Sequence, residues 1–201
     1  MYETKNDLLV DIRTRSAALL NQRLADAVDL GTQVKQAHWN VRGASFIALH
    51  ELFDQVAEHV EDQVDLLAER ITALGGVALG TVEVVSRTSS LRAYPLDIRD
   101  GTQHLQALSN VVADFAAKIR AAIDKTAAWG DATTSDVFTQ ISREVDKDLW
   151  LLEAHLDARQ VGQGVGGEAA VSSAGRASRT GCPPPCRSHP SCPSPSSPRL
   201  P

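Results

Sequence analysis

Up to residue 161 the chain contains no cysteine; all three, Cys182, Cys186 and Cys192, come after it. A fold held by disulfides is thereby excluded for this body, and a thiol-free body suits a protein that meets oxidants. No apolar run reaches the ~20 residues needed to span a bilayer. The opening MYETKNDLLVDIR lacks the basic and apolar regions of a secretory signal. Together these absences point to a cytoplasmic protein with no membrane partner. No lysine-rich arm precedes the body either: its first fifteen residues hold three basic and three acidic side chains. Finally, no histidine has a glutamate three positions before it. That argues against a di-iron site of the Glu-x-x-His kind inside a four-helix bundle.

What is present divides sharply in two. Residues 1–161 carry 16 Lys and Arg against 24 Asp and Glu, a net of -8, whereas 162–201 carry four Arg against Glu168, a net of +3. The second part is rich in Gly, Ser and Pro without apolar periodicity, a composition expected to be disordered. Within it GCPPPCRSHPSC could be read as a metal cluster, but prolines fill the gap from Cys182 to Cys186 and neither spacing matches a zinc unit.

The body reads as four long helices. Leu8, Ile12, Leu19, Leu20, Leu24 and Val28 recur at helical spacing from Asp7 to about Trp39, with Asn6 or Asp7 available as N-cap. Ser45 can cap a second helix bearing Leu49, Phe53, Val56, Val60, Leu67 and Ile71, which Gly75-Gly76 stop. A third opens with a capping pair, Asp100 and Gln103, and runs to about Ala128; a fourth spans about Thr134 to Arg159. The first and last joints are short, but residues 75–99 form a long connection. One long crossover among four helices defines the ferritin-like topology, an all-α fold. TVEVV, residues 81–85, is a lone β-prone run placed inside that crossover, with a short helix as the equal alternative.

On the second helix, His50, Asp54, Asp65 and Glu69 fall on one face, within an arc of about 100°. Asp54 and Asp65 stand roughly 16 Å apart along the axis, so a single copy cannot close all four round one metal. Two copies packed antiparallel about a two-fold near residues 59 and 60 can, which predicts a C2 dimer with two shared sites. His38, just before the NVRG turn, can fold back beside His50. Each site would then draw His38, His50 and Asp54 from one chain and Asp65 and Glu69 from the other. Imidazole and carboxylate together suit iron, manganese or zinc, with iron favoured because carboxylates tolerate both Fe(II) and Fe(III). Taken singly, each of these residues could instead be a solvated or structural side chain. Glu58 and Glu61, near the proposed axis, could bind further iron or serve interface hydrogen bonding.

AHWNVRG, ASF, ALHELFD and the following VDLLAER resemble the Dps family, the DNA-protection miniferritins of starved bacterial cells, and ISREVDKDLWLLEAHL is similar to that family's last helix. The likeness runs from about residue 4 to residue 159. It implies a ferritin-like bundle assembled as a hollow dodecamer, with ferroxidase centres at dimer interfaces that oxidise Fe(II) with hydrogen peroxide and store the ferric oxyhydroxide. The family's ligand positions fall on His38, His50, Asp54, Asp65 and Glu69. The resemblance also places Trp39 near the metals, the alternative being an anchor buried between the first two helices. Asp131 and Asp136 resemble the acids of the three-fold iron-entry pores, Asp131 having turn or capping as its alternative. The contrasting function is a cage that binds and compacts DNA through twelve basic tails carrying Arg176, Arg179, Arg187 and Arg199.

Overall fold

In the computed structural model, which describes residues 1–157, the body is five α-helices: α1 (Val10–Asn40), α2 (Phe46–Ala73), α3 (Val82–Thr88), α4 (Gly101–Ala128) and α5 (Ala132–Asp157). Among the described residues the only β pairing is an isolated bridge between Arg42 and Asp100. No helix there is long and apolar enough to cross a membrane. The four long helices form the bundle, α1 against α2 and α4 against α5, and α3 lies in the crossover against α1. Phe53, Phe115 and Phe138 interlock at the centre with Leu20, Leu24, Leu67 and Leu108, all fully buried. Each such side chain contributes about 1.5–3 kcal/mol of burial.

The ends of the helices hold the differences from the sequence reading. Helix α1 starts at Val10 with Leu9 in the cap position and no side-chain cap, so neither Asn6 nor Asp7 does that work. Asn6 instead accepts from the Leu8 amide at 3.0 Å. The buried Arg13 ties this end down, donating to the carbonyls of Leu8 and Leu74 at 3.1 Å each. Ser45 occupies the cap position of α2 but makes no side-chain cap bond. The capping box at α4 is present: Asp100 accepts from the Thr102 amide at 2.8 Å, and Gln103 accepts from the Asp100 amide at 3.3 Å. Gly75, at φ 83°, closes α2 in the left-handed region where a side chain is strained.

Of TVEVV, Thr81 is the cap residue and Val82–Val85 begin α3; among the described residues no partner strand exists, and only Val85 of that helix is buried. The crossover is then pinned to α1 by Asp26, fully buried, whose carboxylate accepts from the Ser90 amide at 2.7 Å and pairs with Arg23 at 3.0 Å. Helix α5 begins two residues before Thr134 because Asp131 caps it. Arg159 and the whole of 162–201, with its cysteines and arginines, lie outside the described residues.

Candidate metal centre

The last turn of α1 carries His38 and the first turns of α2 carry His50, and the packing of the two helices stacks the rings with centroids 3.7 Å apart and planes at 23°. Each ring reaches the other residue's main chain. His38 Nδ1 lies 2.9 Å from the His50 carbonyl, and His50 Nδ1 lies 3.0 Å from the His38 carbonyl. A carbonyl only accepts, so both Nδ1 atoms carry protons, and in each neutral ring the lone pair is at Nε2. Such a backbone partner is what fixes the tautomer and orientation of a metal-binding histidine. Phe46 lies beside the pair, its ring 5.1 Å from that of His50 and tilted by 34°.

Asp54, one turn beyond His50, accepts from Lys35 Nζ at 2.7 Å, and its Oδ1 stands 3.7 Å from His38 Nδ1. The Lys35 hydrogen bond holds the Asp54 carboxyl below its ordinary range, with the two histidines adding to that. Two imidazoles of fixed tautomer and an anionic carboxylate suit a divalent first-row metal such as iron. Lys35 is absent from the sequence-derived set, although it sits three residues before His38 and so on the same face of α1.

Asp65 and Glu69 lie farther along α2 with exposed side chains. Among the described residues of one chain, no three His, Cys, Asp or Glu side chains are grouped to hold a metal. Trp39 is 67% exposed, so it is not an anchor buried between helices. With Lys35, Asp54, Glu58 and Glu61 it lines an open groove along α1, α2 and α3. Asp136 is exposed on α5. Asp131 is fully buried and serves as the cap of α5: it accepts from the Thr134 amide at 3.0 Å and hydroxyl at 2.6 Å, and pairs with Arg70 at 2.9 Å. Both of its carboxylate oxygens are thereby engaged within the chain.

Two part-buried polar pairs carried no signal in the sequence, since each joins different elements, across 89 and 10 residues. His59 Nδ1 meets Asp148 of α5 at 2.8 Å, and Tyr94 in the crossover meets His104 of α4 at 2.6 Å.

The bundle with its one long crossover defines a ferritin-like protein, and the Ferritin-like domain family matches residues 17–161. The chain belongs, within that class, to the Dps family. It is 45% identical over 158 residues to the DNA protection during starvation protein of Agrobacterium fabrum, an alignment covering 79% of this chain and 98% of the relative. The protein of that name from Mycolicibacterium smegmatis is 34% identical, with 71% of this chain and 77% of the relative covered. Among solved structures, Mycobacterium smegmatis Dps in a tetragonal form superposes with a TM-score of 0.74 at 30% identity, covering 78% of this chain and 94% of that one. Dps from Microbacterium arborescens, solved in a high iron form, gives 0.69 at 34% identity, covering 78% and 99%.

Proposed function

We propose that this protein is a ferroxidase and iron store of the cytoplasm, working as a dodecamer of C2 dimers. Fe(II) is its substrate, and it binds where His38, His50 and Asp54 of one chain face Asp65 and Glu69 of another. The observation that carries the proposal is the reciprocal bonding of His38 and His50 beside an anionic Asp54, which readies two imidazole nitrogens and a carboxylate for a divalent ion. A Dps protein solved in a high iron form supports it.

In this reaction two Fe(II) and one hydrogen peroxide, with two waters, give two FeOOH and four protons. The carboxylates offset the metal's charge while the histidines fix geometry. Spending peroxide and Fe(II) together removes both ingredients of hydroxyl-radical formation, so DNA can be protected without contact with DNA. Glu58, Glu61 and Asp136 would guide further cations, and Trp39 lies beside the first ligand. The working body is residues 1–161, and iron chemistry does not require 162–201.

The test is anaerobic loading with Fe(II) followed by peroxide, comparing the native chain with Asp65→Ala plus Glu69→Ala. Loss of rapid Fe(III) formation is expected; equal rates would refute the shared site.

A further inference from the structure

The Tyr94 hydroxyl and His104 Nδ1 stand 2.6 Å apart, at the short end for such a bond, with the rings 19° from parallel. His104 is 1% exposed. Its other nitrogen, Nε2, is buried without a partner of full hydrogen-bond geometry, yet lies near enough to the Asn40 carbonyl to be influenced by it. A carbonyl beside Nε2 places the ring proton there, so Nδ1 is the acceptor and Tyr94 the donor. Burial keeps the ring neutral by pushing the His104 pKa down, and it pushes the Tyr94 phenol well above its ordinary range. The pair is therefore a protonated phenol held against a neutral base.

Tyr94 also lines the groove that holds Lys35, Trp39, Asp54 and Glu58. A phenol gives up an electron readily only when its proton can leave with it, and a neutral imidazole within hydrogen-bond reach provides for that. We propose that Tyr94 and His104 form a one-electron relay that quenches radicals arising in this groove, an inference that rests on the iron chemistry proposed above. Tyr94 passes an electron to a hydroxyl radical formed from peroxide and a lone Fe(II), which becomes hydroxide. Its phenolic proton moves to His104 Nδ1, leaving a neutral tyrosyl radical beside an imidazolium. An Fe(II) in the groove then returns one electron, becoming Fe(III), and the proton returns to the phenol. The sum is one hydroxyl radical and one Fe(II) converted to hydroxide and Fe(III). A Tyr–His bond that merely anchored the crossover to α4 would produce no radical.

Two arms on the full-length chain test this, both read by electron paramagnetic resonance. In the first, without iron, a flash-oxidised ruthenium polypyridyl complex is the oxidant. A tyrosyl signal is expected in the native chain and in Tyr2→Phe, and its loss is expected in Tyr94→Phe and His104→Gln. A signal that survives Tyr94→Phe, or that is indifferent to His104→Gln, overturns the relay. In the second arm, Fe(II) and peroxide replace the flash. Fe(III) formation with no tyrosyl signal overturns the link between relay and groove. Absence of Fe(III) formation with a positive first arm refutes the ferroxidase reading and leaves the redox pair standing.

Discussion

His38 and His50 hold each other: each ring nitrogen Nδ1 donates to the other residue's backbone carbonyl, at 2.9 and 3.0 Å. Losing either ring therefore removes one of the two proposed ligands and releases the other. His50→Ala is expected to slow Fe(II) oxidation by roughly 100-fold or more. Mixed assemblies of His50→Ala chains with Asp65→Ala/Glu69→Ala chains should regain part of the rate, because some interfaces then bring two intact halves together. Stopped-flow absorbance of the ferric product checks both outcomes.

Lys35 is bonded to Asp54 at 2.7 Å, so in the proposed site it would compete with the metal for that carboxylate. Both side chains are exposed by a third or more, so solvent screens the pair and its net worth is small. Lys35→Met should thus tighten Co(II) binding by no more than about fivefold, measured anaerobically by titration of the cobalt absorption.

Gly101, the first residue of α4, leaves no room for a methyl group, since a Cβ there would stand 2.5 Å from Leu49 Cδ1. Leu49 is 1% exposed and precedes His50. Gly101→Ala is expected to cost about 1–3 kcal/mol, read by thermal denaturation, and to weaken Co(II) binding as α2's first turn shifts.

Asp131 caps α5 and is the partner of Arg70 at the same time. Burial alone would raise its pKa, but the Thr134 hydrogen bonds and the Arg70 charge outweigh that and hold it low. A depressed carboxyl contributes stability above its unfolded value of about 3.9 and loses it as pH falls through the folded value. Asp131→Ala should destabilise by about 3–5 kcal/mol at neutral pH, and the deficit should shrink in acid. Denaturant melts at several pH values test this.

Asp148 has the opposite sign. Burial raises its pKa despite the His59 bond, so the native state binds its proton more tightly than the unfolded chain does. Its contribution to stability falls as pH rises through that raised value. Asp148→Asn keeps an acceptor for His59 Nδ1 while removing the buried charge. Stability near neutral pH should be maintained or increased, and the decline on leaving acid should flatten; a pH profile left unchanged by the substitution would contradict a raised Asp148 pKa.

Much of the bundle was legible because apolar spacing is a local property. Leu49, Phe53, Val56, Val60, Leu67 and Ile71 repeat at helical period, and all six are buried. The start of α1 was not legible, because Arg13 fixes it through a carbonyl at Leu74, sixty-one residues away. TVEVV misled in part because β propensity describes the fit of a side chain to neighbouring strands, and this crossover offers none. Asp131 presented two readings that only its burial beside Arg70 could separate.

The sequence by itself determined the helices, the long crossover and the face on which His50, Asp54, Asp65 and Glu69 lie, since each follows from periodicity along one segment. Only the tertiary structure decided that His38 and His50 lock each other's protons, that Lys35 shares Asp54, and that Tyr94 meets His104. Those relationships depend on where one helix or loop lies against another to within an ångström or so. That placement is set by the packing of the whole core.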